Sequence, residues 1–237
     1  MIDRYFQAGL TQNPFTHRVV AANPDATFVG RGLGSPPPPA SHTLVQVIGD
    51  KGAGKTTQVQ SWRRRVDGPY HYIPESPYRA RWAEPPVGEL VYGDEIDRMP
   101  SPLRHRWFQK LGQRCATVVI GTHVDLSTVA RRHGFVVVTH KLGAVDIETL
   151  RKVIDTRLTA VASAPDGTAD CPGDRGVSAE NRRLRRSARA FPAGSAGPSF
   201  SIDDRALAEI HALAAGSLRT AETLLHQYVA GQVEKVV

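Results

Sequence analysis

Leu44-Val-Gln-Val-Ile48 runs directly into Gly49-Asp-Lys-Gly-Ala-Gly-Lys55-Thr56, and this junction decides the fold. The apolar run reads as a short buried strand. Residues 49–56 fit G-x-x-x-x-G-K-[ST] at every fixed position. Glycines at 49, 52 and 54 permit a tight loop whose successive N–H groups turn toward a phosphate. Lys55 would reach the outer phosphates, and the Thr56 hydroxyl would bind Mg²⁺. Residues 55–66 suit a helix, with Val59, Trp62 and Val66 at helical spacing and Gly68-Pro69 ending it. The N-terminus of that helix adds partial positive charge at the same point. A bare glycine-rich turn at a strand end needs neither flanking element. Gly49, Asp50, Lys51, Gly52, Ala53, Gly54, Lys55, Thr56 and Thr57 are therefore the candidate nucleotide-binding loop.

Outward from the loop, strands are expected at Tyr70–Ile73, Glu89–Gly93, Cys115–Ile120 and Phe135–Thr139, with helices at 102–112 and about 125–132. Proline-rich 74–88 offers no helix. Strand–helix alternation with continuous apolar strands predicts an α/β fold, a three-layer parallel sheet covered on both faces. The strand at 89–93 ends in Asp94-Glu95, which looks like a Walker B pair. Asp94 would hold the Mg²⁺ shell and Glu95 would polarise the attacking water. Gly93 replaces the usual apolar residue there and predicts a looser strand end. Asp97 reads as a helix cap.

The remainder of the chain differs in character. From Asp146, Ile147, Leu150, Ile154 and Leu158 line one helical face, and helical pattern returns at Asp203–Ala215 and from Ser217. Between them, residues 162–199 are rich in Gly, Pro, Ser, Ala and Arg, which predicts a disordered insertion. The first forty residues are turn-rich and end in Ser35-Pro-Pro-Pro-Pro-Ala40, an extended connector. The expected organisation is an extension over 1–40, an ATPase core over 41–142 and a helical lid over 143–237.

Composition narrows the class further. The 237 residues are 41% hydrophobic and 22% charged, as in ordinary globular proteins. No window holds about 18 consecutive apolar residues, and the N-terminus lacks a secretory layout. Cys115 and Cys171 cannot form a disulfide framework or a four-ligand zinc site. These features point to a cytoplasmic protein without a membrane partner. The formal charge is +7, but residues 175–190 hold six Arg and one Glu and so supply +5 of it. The excess is one local run.

On these motifs the sequence resembles the AAA+ ATPases, particularly the branch related to origin-recognition initiators and to bacterial transposition and secretion ATPases. Phe28-Val-Gly-Arg-Gly32 is similar to the box that lies against adenine in that branch, which implies that Arg31 contributes to nucleotide binding. Leu10-Thr-Gln-Asn-Pro-Phe15 is similar to the Asn-Pro-Phe that opens many bacterial members. Thr122, at the tip of the fourth core strand, falls where the family places sensor 1, which contacts the γ phosphate or the attacking water. Gly216-Ser-Leu-Arg219 looks like sensor 2, whose arginine reaches the nucleotide from the lid. Arg131 and Arg132 lie where the family carries an arginine finger acting on a neighbouring subunit. The resemblance covers about 10–160 and 200–237. It departs where the proline run leaves no room for the helix before the first strand. Only 39 residues separate Lys55 from Asp94, and 74–88 replaces the second core helix.

The resemblance implies Mg²⁺-dependent ATP hydrolysis coupled to a protein or DNA partner, with Lys55, Glu95, Thr122 and Arg219 carrying catalysis and with nucleotide-dependent self-association. A nucleotide-gated adaptor with negligible hydrolysis is the alternative that the shortened core favours. Thr122-His-Val-Asp125 also resembles a guanine-reading motif, but His123 stands in place of its lysine, and Asp94-Glu-Ile-Asp97 ends in Asp where an Asp-x-x-Gly is needed. A small-molecule kinase would use the same loop, yet no acceptor signature is present. For DNA the sequence offers only the arginine run at 182–189, whose contacts would weaken steeply with salt; a solvated linker in an arginine-rich chain is the preferred reading of that run.

Overall fold

The computed structural model describes residues 5, 10, 12–16, 19–20, 24–75, 84–114, 116–162 and 200–235. Five strands form one sheet: β1 (Thr43–Gly49), β2 (Tyr70–Tyr72), β3 (Leu90–Asp94), β4 (Thr117–Thr122) and β5 (Val136–Leu142). Their order is β2-β3-β4-β1-β5, and every pairing is parallel. Helix α1 (Lys55–Arg65) follows β1, a 3₁₀ turn (Ile96–Arg98) and α2 (Ser101–Gln113) follow β3, and α3 (Ser127–Arg132) follows β4. The lid consists of α4 (Ile147–Ala162), α5 (Asp204–Ala214) and α6 (Leu218–Lys235).

Central strands that are apolar at successive positions need cover on both faces. On one face Leu44, Val91, Val118 and Ile120 pack with Trp107, Phe108 and Leu111 of α2 and Ala130 of α3. On the other, Val45, Val47, Tyr92 and Val119 pack with Val59 and Trp62 of α1. Each large apolar side chain withdrawn from water contributes about 1.5–3 kcal/mol. The three-layer α/β sandwich is the result.

Except for β2, which stops at Tyr72, the strands run further toward their C-terminal ends than apolarity suggests. β4 begins at Thr117, a fully buried anchor: its hydroxyl donates to Pro38 O (2.8 Å) and accepts from Ser41 N (2.9 Å). These bonds also fix the proline connector against the sheet. β5 continues through Thr139, His140 and Lys141 to pair Leu142 with Gly49. It is an edge strand, where polar residues cost little. Fully buried Gln46 of β1 bonds Asp125, Ser127 and Thr139 through its amide nitrogen and accepts from Leu126 N, so the turn after β4 is fixed from beneath.

The lid helices enclose their own apolar cluster, and Leu10, Phe15 and Val19 from the N-terminal stretch are buried within it. Asn13 explains part of that docking: its amide donates to His226 O in α6 (3.1 Å) and its oxygen accepts from Phe15 N (3.0 Å). Among the described residues no helix is long and apolar enough to cross a membrane. The stretch 163–199 with its arginine run, both cysteines and residues 76–83 lie outside the described residues.

Candidate functional site

The sheet brings three strand tips together. Because β4 lies between β1 and β3, Ile48 sits beside Thr122, and Gly121 beside Asp94. The loop leaving β1 and the acidic pair leaving β3 thus flank the tip of β4. The glycine loop takes left-handed backbone at Gly52 (φ 88°) and Gly54 (φ 93°), and Gly54 directly precedes Lys55 at the start of α1. Such alternation aims backbone N–H groups toward one point above the helix N-terminus.

Lys55 is 5% exposed, and its ammonium is folded onto its own loop. Nζ donates to Gly49 O (2.8 Å) and Asp50 O (2.9 Å) and lies 3.3 Å from His123 Nδ1. Burial holds its pKa below the ordinary lysine value, against the pull of Glu95, Asp94, Asp97 and Asp50. A cation held by neutral carbonyls is poised for transfer to a stronger anionic partner.

Thr56 Oγ1 donates to Asp94 Oδ2 at 2.5 Å, and Tyr70 Oη donates to the same oxygen at 3.3 Å. Asp94 is 1% exposed, and its Oδ1 has no hydrogen-bond partner. Burial raises the Asp94 pKa from its ordinary value, partly offset by the Thr56 bond. An adjacent hydroxyl and an under-partnered buried carboxylate make a hard oxygen donor set of the kind Mg²⁺ uses. The residues present fit that ion.

Gly93 does not loosen the strand end. It lies within β3, and a Cβ there would come within 2.9 Å of Ile96 Cδ1 and 3.2 Å of Ile120 Cγ2. The absent side chain is the space that Ile96 fills. Asp97 is not a helix cap: it lies inside the 3₁₀ turn and accepts from Thr122 Oγ1 at 3.1 Å.

Glu95 has left-handed backbone (φ 60°), uncommon for a residue with a side chain. The kink turns it off the strand, with 14% of its side chain exposed. Its Oε2 lies 3.2 Å from His123 Nε2 and 3.3 Å from Arg98 Nε. Thr122 is fully buried, and its hydroxyl is engaged with Asp97 and with Val124 O (3.0 Å). The side chain standing between Lys55 and Glu95 is therefore that of His123. The sequence contained this residue only as a departure from another motif, and no spacing rule marks it. Tyr70 and Arg98 were likewise missed, since their roles depend on β2 pairing beside β3.

From the lid, Gly216-Ser217 and the first turn of α6 rest on the loop. A Cβ at Gly52 would meet Ser217 Oγ at 2.5 Å and Arg219 Cβ at 3.2 Å. Arg219 is exposed directly above Gly52. A cavity of about 70 Å³ lies here, bordered by Asp50, Lys51, Ala53, Leu142 and Gly216. Arg31 Nη2 donates to Gly143 O (3.1 Å) in the connection to the lid, and its Nη1 is buried without a partner. Thr57 is exposed on α1, and Arg131 and Arg132 are exposed in the last turn of α3. Asp125 serves the turn after β4, its Oδ1 accepting from Gln46 Nε2 (2.7 Å) and Ser127 N (2.8 Å).

A five-stranded parallel sheet of this order, with a glycine loop leaving β1 and an acidic pair leaving the strand beyond β4, has the α/β fold of the P-loop NTPases, here with a helical lid. No protein-family model matches the chain, and no curated protein matches it. Among solved structures it is similar to domain III of the replication initiation protein DnaA from Thermotoga maritima. The identity is 11% and the TM-score 0.42, over 100% of this chain and 95% of that one.

Proposed function

We propose that this protein is an AAA+-like ATPase that binds ATP with Mg²⁺ at the 49–57 loop and hydrolyses it. The observation that carries this reading is the convergence of Lys55, the Thr56–Asp94 pair and Glu95 from the ends of β1 and β3, on either side of the tip of β4. Phosphoryl transfer asks the protein mainly for positioning and neutralisation of phosphate charge. Lys55 leaves Gly49 O and Asp50 O for the phosphates, joined there by the loop N–H groups. Thr56 and Asp94 would hold Mg²⁺, which supplies further neutralisation of phosphate charge. Glu95 accepts a proton from the attacking water, and Thr122 acts through Asp97 to hold the turn that presents this region. Arg219 and Arg31 tie lid position to the nucleotide, so that occupancy changes the surface offered to a protein or DNA partner.

Lys55→Ala is expected to abolish ATP binding, and Glu95→Gln to retain binding while losing turnover. Hydrolysis by Glu95→Gln at the parent rate would refute the assignment of the base. Turnover measured against protein concentration, with and without duplex DNA, tests the rest. A rise with concentration supports Arg131 or Arg132 acting in trans within a homo-oligomer, and a rise with DNA identifies the partner class.

A further inference from the structure

We propose that His123 is the positioning residue for Glu95, a role that rests on the ATPase reading. The imidazole stands between the two charged groups of the site: Lys55 Nζ is 3.3 Å from Nδ1 and 3.5 Å from Nε2, and Nε2 is 3.2 Å from Glu95 Oε2, a buried oxygen without a hydrogen-bond partner. An ammonium can only donate and a carboxylate can only accept. The tautomer that suits both neighbours carries its proton on Nε2, within reach of Glu95, and leaves Nδ1, the ring nitrogen nearer Lys55, unprotonated, an assignment made from those neighbours. His123 thereby aims the Glu95 carboxylate toward the tip of β4, where the glycine loop also points.

Arg98 is the competing tether. Its Nε lies 3.3 Å from the same Glu95 oxygen, while its terminal nitrogens are fixed by Tyr72 Oη, Ile73 O and Glu75 on the β2 side. Without His123, Glu95 answers to Arg98 alone and is drawn away from Lys55. When Lys55 moves onto phosphate, the imidazole is freed from Nζ and its Nε2–H remains a donor within reach of the unpartnered Glu95 Oε2, so the base is aimed in the loaded site. Thr122 cannot replace it, because its hydroxyl is already committed to Asp97 and Val124.

The test compares the full chain with His123→Ala, His123→Gln and the double variant His123→Ala/Arg98→Ala. ATP affinity is followed by titration and turnover is measured at saturating ATP and Mg²⁺. For His123→Ala the expected result is an ATP Kd within about threefold of the parent and a kcat lowered about tenfold or more, since only the base is misplaced. Glutamine, with an amide that both donates and accepts, should restore kcat to within about threefold, and removing Arg98 should recover part of the alanine loss. A His123→Ala kcat within about twofold of an active parent overturns the role, as does a glutamine variant no better than alanine. A parent that turns over no ATP overturns the ATPase reading and this inference with it. An active parent matched by His123→Ala overturns the inference alone.

Discussion

Thr56 Oγ1 and Asp94 Oδ2 meet at 2.5 Å, joining the first turn of α1 to the tip of β3 across the sheet. This bond lies beside a carboxylate oxygen that is buried and has no partner. The site is thus built at a cost to the free protein, and the cost is measurable. Asp94→Asn keeps an acceptor for Thr56 while removing the buried charge. It is expected to stabilise the protein at neutral pH by about 1 kcal/mol, a few degrees in Tm, and to eliminate Mg²⁺-dependent turnover. Calorimetry beside an ATPase assay checks both halves, and a variant that loses stability contradicts the first.

Gly121 is required by that carboxylate. A Cβ there would lie 2.5 Å from Asp94 Oδ1 and 3.4 Å from Lys55 Cβ. Gly143, on the connection to the lid, has open space around the equivalent position. Gly121→Ala is therefore expected to cost about 1–3 kcal/mol by overpacking and to impair ATP binding, while Gly143→Ala stays within about 0.5 kcal/mol. Urea denaturation of the two variants with paired nucleotide titrations makes the comparison.

These glycines also mark the boundary of what the sequence discloses. The loop, the acidic pair and all five strands are legible because each rests on local pattern: an apolar run, a spacing, a turn residue. The helices are recovered to within a residue or two for the same reason. Gly93 and Asp97 are misjudged because their roles depend on Ile96 and Thr122, which reach them only after the chain folds back. His123 is invisible for a related reason. Nothing about a histidine after a strand states that Lys55 and Glu95 will stand on either side of it, since that depends on β4 being inserted between β1 and β3.

The seat of the lid on the loop yields a third expectation. Gly52 has φ 88°, and a Cβ on it would meet Ser217 Oγ at 2.5 Å, whereas Gly34 has φ 74° with nothing nearby. Gly34→Ala isolates the backbone cost, about 1 kcal/mol. Gly52→Ala should cost about 1 kcal/mol more, because the lid must shift. Adding Ser217→Gly should recover that excess and leave the backbone cost, and a double-mutant cycle on denaturation midpoints reads the coupling. Additivity of the two substitutions would mean that the lid does not rest on Gly52.

Within the lid, Arg157 of α4 pairs with Glu222 of α6 and lies 5.8 Å above the Phe15 ring, so one guanidinium joins both helices to the N-terminal stretch. Burial raises the Glu222 pKa above 4.5 despite the pull of Arg157. The folded protein therefore holds this proton more tightly than the unfolded chain does. The stability contributed by the group is complete below about pH 4.5 and is lost as pH rises through the raised value. Glu222→Gln removes this titration, so its stability relative to the parent should improve steadily from pH 4.5 toward neutrality. Arg157→Met does the opposite at neutral pH, stranding a carboxylate. It should cost about 3 kcal/mol, near the low end for a buried pair, because Glu222 keeps 29% of its side chain exposed. Combining both substitutions should return most of that loss. Denaturation midpoints of the four proteins at pH 4.5 and 7 settle the sign: if Glu222→Gln loses ground as pH rises, the pair stabilises the charged form, and burial is not what governs Glu222.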